Sequence, residues 1–213
     1  MSDPWLAVPL TDYEQHMSSA DVQQLGVLSE LFAEAIERTR PASVAVLGIA
    51  GGNGLERIDN GITTRIVGLD INPKYLEAVR QRYLLLHGLE LHCVDLSRQR
   101  VELEPIQLVH AALVFEHVGT ERCLDNAISM VAPGGNLSIV LQLPEASGEM
   151  VWKTQFSSIQ GLKSCFSLIN PAWMCELLAE RGFRAVHETR RALPTGKGLW
   201  MGIFSAPEAK GRK

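Results

Sequence analysis

Short apolar runs recur along this chain, and between them the apolar positions fall three and four apart, so buried strands alternate with amphipathic helices. Val44-Ala45-Val46-Leu47 and Ile66-Val67-Gly68-Leu69 are the clearest strand runs, and the pattern predicts strands at 43–49, 65–70, 89–94, 107–113 and 137–143. Val22, Leu25, Leu28, Phe32, Ala35 and Ile36 keep helical spacing until Pro41, with Ser18 and Asp21 suited to the start. Further helices are predicted from Gly54, from Pro73 to about Leu86 with Asn72 as N-cap, and over about 120–131. Such alternation implies a mostly parallel, doubly wound α/β sheet covered on both faces.

The end of the chain breaks the alternation. Asn170-Pro171 opens a helix that closes at Gly182, and the strand-like runs Phe183 to Thr189 and Leu199 to Ser205 flank a loop bearing Pro194, Gly196 and Gly198. So short a connection requires antiparallel pairing, which gives a C-terminal hairpin. Residues 1–20 carry Pro4 and Pro9 without clear periodicity and are expected to form an extended arm. Residues 21–207 read as one domain with an insertion at about 144–169, and 208–213 as a tail.

The first strand runs into Gly48-Ile49-Ala50-Gly51-Gly52-Asn53-Gly54, and the second ends on Asp70-Ile71-Asn72. Glycines at such a turn let a backbone approach a ligand and offer N–H groups at a helix N-terminus, and an acid on the neighbouring strand can accept both hydroxyls of a ribose. A dinucleotide fingerprint starting from Gly52 and Gly54 would need glycine where Arg57 stands. The pair therefore predicts a nucleoside site of another kind.

The loop resembles motif I of the class I S-adenosylmethionine-dependent methyltransferases, whose pattern is an acid, a spacer, then G-x-G-x-G. Asp70 resembles their ribose-binding acid, and Val94-Asp95-Leu96 the loop that holds the adenine amino group. Leu113-Val114-Phe115-Glu116-His117-Val118 resembles their segment after strand four, and Val131-Ala132-Pro133-Gly134-Gly135-Asn136-Leu137 their turn into strand five. The resemblance implies a seven-stranded sheet of order 3-2-1-4-5-7-6 and S-adenosyl-L-methionine as cofactor. It places the cofactor against Gly48, Ala50, Gly51, Gly52, Asn53, Gly54, Asp70, Ile71, Asn72, Asp95, Leu96 and Leu113. Three positions depart from the pattern: Gly48 replaces the usual acid, Ala50 the first glycine, and Ile106-Gln107 the aromatic and aspartate that often open strand four. With no acid at Gly48, the arm is expected to reach the methionine end through Tyr13 or His16, which share a face if the arm is helical.

Composition narrows the partners. The 213 residues are 46% hydrophobic and 21% charged, with net charge −4, and the basic residues are dispersed apart from Arg184, Arg190, Arg191, Lys197 and the Lys210-Gly211-Arg212-Lys213 tail. That balance argues against nucleic acid as partner. No apolar run approaches a membrane span and no leader pattern is visible, so a cytoplasmic protein is expected. The four cysteines lack C-x-x-C spacing, and neither a metal site nor a disulfide frame is expected.

Methyl transfer demands chiefly that a nucleophile be placed in line with the methyl carbon, with a base needed only if the acceptor must lose a proton. Glu116 and His117 are the candidates for such a base, while His110 and Trp200 read as core. Glu149, Trp152, Lys153, Gln155, Phe156, Ser157, Ser158 and Phe166, in the insertion, suit recognition of a small organic acceptor. The expected function is methyl transfer to a small molecule; a protein acceptor, or a cofactor-binding regulatory subunit without turnover, are the alternatives.

Overall fold

The computed structural model describes residues 3–144, 154–194 and 196–209. Seven strands form one sheet: β1 (Ser43–Leu47), β2 (Arg65–Asp70), β3 (Leu89–Cys93), β4 (Ile106–Ala112), β5 (Val131–Leu143), β6 (Arg184–Ala192) and β7 (Gly198–Ser205), in the order β3-β2-β1-β4-β5-β7-β6. The first five run parallel, and β7 pairs antiparallel with both β5 and β6, so the predicted order and hairpin hold. The strand order reverses between β1 and β4. In an open parallel sheet that reversal leaves a crevice at the carboxyl ends of the strands, and ligands bind there.

The α-helices are α1 (Leu10–Ser18), α2 (Leu25–Thr39), α3 (Pro73–Arg82), α4 (Phe115–Val118), α5 (Thr120–Met130), α6 (Ser157–Gln160) and α7 (Pro171–Glu180). Leu31, Phe32 and Ala35 of α2 and Val79 of α3 close one face of the sheet over Val44, Ile66, Leu108 and Met201. Leu124 and Ala127 of α5 and Met174 and Leu178 of α7 close the other over Val109, Ile139, Trp200 and Phe204. Trp200 is thus core, as read from the sequence. So is His110, whose Nδ1 lies 3.0 Å from Ser138 Oγ and whose pKa burial pushes down to about 4.

Four elements differ from the sequence reading. The helix expected from Gly54 is absent: β1 reaches β2 through turns and a single 3-10 turn, Leu55–Arg57. Polar side chains claim the backbone groups that a helix would use. Glu56 accepts from the Gly54 N–H at 3.1 Å, Asp59 from Gly61 N–H at 2.8 Å, and Asn60 Nδ2 donates to the Thr63 carbonyl at 3.1 Å. Asn53 and Gly54 therefore open no helix N-terminus.

The arm, expected to be extended, holds a 3-10 turn at Pro4–Ala7 and all of α1. Val8 and Met17 are buried, Tyr75 Oη donates to the Val8 carbonyl at 3.0 Å, and Asn72 Nδ2 donates to the Trp5 carbonyl at 3.0 Å. Arg82 of α3 donates to Glu14 of α1 at 2.6 Å and to the Gly51 carbonyl at 2.7 Å. Because Gln23 takes a left-handed φ of 50°, α2 starts at Leu25 rather than near Asp21. Likewise, β5 begins at Val131, six residues before the expected strand and with an irregular register against β4.

Candidate functional site

A cavity opens where the sheet order reverses. Gly48 and Ala50 after β1, Asp70 and Ile71 at the end of β2, Val94 to Leu96 after β3, and Ala112 to Val114 at the end of β4 line it. The arm contributes Asp3, Trp5 and Tyr13, and Tyr75, His117 and Val118 complete the wall. Two non-glycine residues in this wall carry left-handed backbone, Ala50 (φ 47°) and Leu113 (φ 56°). Strained backbone of this kind persists only where its surroundings hold it, and it concentrates at functional sites.

Asp70 is the cavity's principal polar group. It is 7% exposed; Oδ2 accepts from the Ala50 N–H at 2.9 Å and Oδ1 from the Asn72 N–H at 2.8 Å. Burial pushes its pKa up to about 6, against the lowering effect of those backbone donors. Its negative charge, together with burial, in turn holds the Tyr13 and Tyr75 hydroxyls protonated far above neutral pH. Two accepted bonds leave a carboxylate with unused lone pairs. Asp95 is held at the rim by Ser97, whose N–H donates to Oδ1 at 2.9 Å.

A second cavity shares Trp5, Tyr13, Leu113 and His117 with the first. His16, Met17, Val22, Gln24, Gln142 and Lys197 line it too, as do Ile159, Leu162 and Phe166. His117 stands between the two cavities with its ring held edge-on by Trp5 at 5.0 Å and tilted against Phe166 at 5.1 Å. Burial pushes its pKa down to about 4, so the imidazole is neutral at neutral pH.

The sequence-predicted residues thus divide. Gly48, Ala50, Asp70, Ile71, Asp95 and Leu96 line the first cavity only; His16 lines only the second; Tyr13, Leu113 and His117 line both. Gly51, Gly52, Asn53, Gly54 and Asn72 line neither. A side chain at Gly51 would run into Glu14, one at Gly52 would lie 2.7 Å from Tyr83, and one at Gly54 2.8 Å from Phe32. These glycines serve close packing, and Asn72 caps α3 by accepting from the Lys74 N–H at 3.0 Å. Glu116 is 0% exposed and also lies outside both walls: its Oε1 accepts from the Gln142 N–H at 2.9 Å. In the insertion, Phe166 reaches the second cavity, Ser158 Oγ instead donates to Asp12 at 2.6 Å, and Phe156 packs beneath against Val8. Glu149, Trp152 and Lys153, like the 210–213 tail, lie outside the described residues. Trp5, Tyr75, Gln24, Gln142 and Lys197 went unread, since nothing in local spacing announces that an arm, a helix face and a hairpin loop converge.

The donor set fits the cofactor that the sequence resemblance implies. An ionisable carboxylate with free lone pairs suits a ribose diol, and Ile71, Val94, Leu96 and Val118 form an apolar slot beside it suited to a purine. Among the described residues, no group of three or more His, Cys, Asp or Glu is placed to hold a metal ion, and no helix is long and apolar enough to cross a membrane.

Residues 44–135 match the family model described as a methyltransferase domain. No curated protein matches the chain in sequence. Among solved structures, the N-methyltransferase NodS from Bradyrhizobium japonicum WM9 in complex with S-adenosyl-L-homocysteine is similar over 93% of this chain and 98% of that one, with 14% identity and a TM-score of 0.66. Magnesium protoporphyrin IX methyltransferase from Synechocystis PCC 6803 with bound SAH is similar over 92% and 93%, with 13% identity and a TM-score of 0.63. In the complex of the Haloferax volcanii Trm112 methyltransferase activator with a methyltransferase, the similarity covers 98% and 100%, with 14% identity and a TM-score of 0.67.

Proposed function

We propose that the chain is a class I S-adenosylmethionine-dependent methyltransferase and that it methylates a small molecule bound in the second cavity, a reading supported by its methyltransferase-domain match and its sheet order. The observation that carries this reading is the shared wall. Trp5, Tyr13, Leu113 and His117 face both cavities, so a group held in one abuts a group held in the other. Helices α1 and α6 with the 3-10 turn Gly161–Cys165 cover the second cavity, which disfavours an extended polypeptide acceptor.

S-adenosylmethionine, when bound, would supply an electrophilic methyl group on a sulfonium: a lone pair of the acceptor bonds to the methyl carbon in line as the carbon–sulfur bond breaks and S-adenosylhomocysteine leaves with that electron pair. Asp70 would hold the ribose hydroxyls, Ile71, Val94 and Leu96 would enclose the purine, and Asp95 would meet its amino edge. Tyr13 closes the cavity from the arm and, with the half-buried His16 behind it, faces the methionine end. His117 is too weakly basic at pKa about 4 to serve well as a base at neutral pH, and Glu116 does not reach either cavity. Catalysis on this reading is placement and exclusion of water.

Two measurements test it. With isotope-labelled methyl from S-adenosylmethionine, label should enter the small-molecule fraction of a cell extract; label found only in protein would overturn the reading, as would the absence of any transfer. His117→Phe, which keeps a ring between Trp5 and Phe166, should hold turnover within about tenfold of wild type, while His117→Ala should lose about 10²-fold through a misplaced acceptor. Equal, large losses in both variants would assign His117 proton chemistry instead.

A further inference from the structure

We propose that the acceptor carries an amide-type edge, an N–H donor beside a carbonyl, on an apolar ring body, and that the Gln24–Gln142 pair reads that edge; this rests on reading the second cavity as the acceptor site. Both glutamines line the second cavity and neither lines the first. Much of the wall around them is apolar or aromatic, with Trp5, Tyr13, Met17, Val22, Ile159 and Leu162. Gln24 is buried, and its Nε2 donates to Gln142 Oε1 at 3.2 Å. A primary amide has two N–H donors and one carbonyl, so this single bond leaves the Gln24 carbonyl and the Gln142 amino group to be satisfied. Neither makes another bond among the described residues, and neither is one of the side-chain atoms buried without a partner, so both reach open space. The space that the two side chains both line is the second cavity. Their backbones are anchored beside it: the Gln24 N–H donates to the Met17 carbonyl at 2.9 Å, and the Gln142 N–H to Glu116 Oε1 at 2.9 Å.

The pair offers one donor and one acceptor whichever way its amides are turned. With Gln24 donating, Gln24 keeps the open carbonyl and Gln142 the open amino group; with both amides turned over, the roles exchange and one of each still faces the cavity. A ligand with two donors, or with two acceptors, leaves one half of the pair unmatched in either arrangement. A polar group stranded against an apolar wall costs more than a made hydrogen bond contributes, so the pair selects chiefly by rejecting ligands that lack one half of the edge. The complementary group is a neutral one that presents N–H and C=O side by side, as a lactam does. Trp5, Tyr13, Leu113 and His117, and not the glutamines, form the wall shared with the first cavity. The pair therefore holds a part of the molecule other than the atom that takes the methyl group.

The test uses the full chain saturated with S-adenosylhomocysteine, whose own binding is recorded by calorimetry in the same samples. The lactams 2-pyridone, 2-quinolone and phenanthridinone are titrated by ligand-observed NMR. Beside them run their N-methyl forms, which lack the donor, and pyridine, quinoline and phenanthridine, which lack the carbonyl. At least one lactam should bind, about tenfold or more tighter than both of its counterparts. Gln24→Leu and Gln142→Leu, which keep most of the side-chain volume, should each bring that lactam to within about threefold of its N-methyl form, with S-adenosylhomocysteine affinity within about twofold of wild type. Wild type alone can overturn the inference: no lactam preference, or no detectable lactam binding, does so whether or not the leucine variants fold, and leaves the methyltransferase reading intact if S-adenosylhomocysteine still binds. A preference that survives both substitutions would take the edge away from the glutamines and overturn it too. So would a tenfold loss of S-adenosylhomocysteine affinity in either variant, which would assign the pair to the cofactor. Failure of wild type to bind S-adenosylhomocysteine would overturn both readings together.

Discussion

Asp70→Asn is expected to weaken S-adenosylhomocysteine binding by about 10- to 100-fold, the equivalent of roughly 1.5–3 kcal/mol for charge-assisted hydrogen bonds. The carboxylate takes one backbone N–H on each oxygen, from Ala50 and Asn72, and its remaining lone pairs face the cavity. An amide at this position offers one oxygen where two are needed. The same residue sets the pH dependence. With its pKa raised to about 6 in the ligand-free protein, Asp70 is largely protonated at pH 5 and largely ionised at pH 7. A ligand that needs the ionised form should therefore bind about tenfold more weakly at pH 5 than at pH 7, and the affinity should level off above pH 7. Calorimetry across pH 5–8 on wild type and Asp70→Asn checks both parts. A flat wild-type profile, or one whose slope survives in Asp70→Asn, would show that another group controls binding.

Why Asp70 was legible and Lys197 was not follows from what each depends on. Asp70 sits at the carboxyl end of a strand whose apolar run is continuous in sequence, and the neighbouring strand ends in a glycine turn that can approach it. Strand ends beside a reversal of sheet order are local facts of pattern and topology. By contrast, Lys197 acquires its surroundings only when the hairpin loop of β6 and β7 meets an arm about 180 residues earlier, and no periodicity encodes that meeting. The arm itself was misread for a physical reason. Pro4 and Pro9 forbid helix across them but permit it immediately after, and α1 begins at Leu10 with Tyr13 and Met17 one turn apart on the inward side. The missing helix after Gly54 is the converse case. A strand followed by a glycine-rich turn predicts a helix there, but Glu56, Asp59 and Asn60 satisfy the backbone of that segment in turns.

Glu116→Gln is expected to make the protein more stable at neutral pH, by up to about 3 kcal/mol. Glu116 is wholly buried; burial raises its pKa to about 7, against the lowering effect of the bond from the Gln142 N–H, and Oε2 has no partner among the described residues. A carboxyl whose folded pKa is raised above its unfolded value binds its proton more tightly when folded. Its contribution is thus fully present below pH 4.5 and is lost as pH rises to about 7. Glutamine resembles the protonated form, keeps the acceptor for Gln142, and should erase that loss. Urea unfolding at pH 4.5 should leave the two proteins nearly equal, and at pH 7.5 the variant should lead by an amount worth about 5–10 °C in melting temperature. Glu116→Ala should fall below wild type by about 2–4 kcal/mol at pH 4.5, since it empties a packed site and strands the Gln142 N–H, and that deficit should shrink by up to about 3 kcal/mol at pH 7.5, where wild type carries the ionised carboxyl. Parallel pH profiles for wild type and Glu116→Gln would mean that the carboxyl ionises without penalty. The Glu116 side chain ties the turn that bears His117 to β5 through the Gln142 N–H, while the backbone carbonyl of Glu116 ties that turn to the segment after Phe166 by accepting from the Ser167 N–H at 2.8 Å. Residue 116 therefore links His117 and Phe166 on one side of the second cavity with Gln142 on the other.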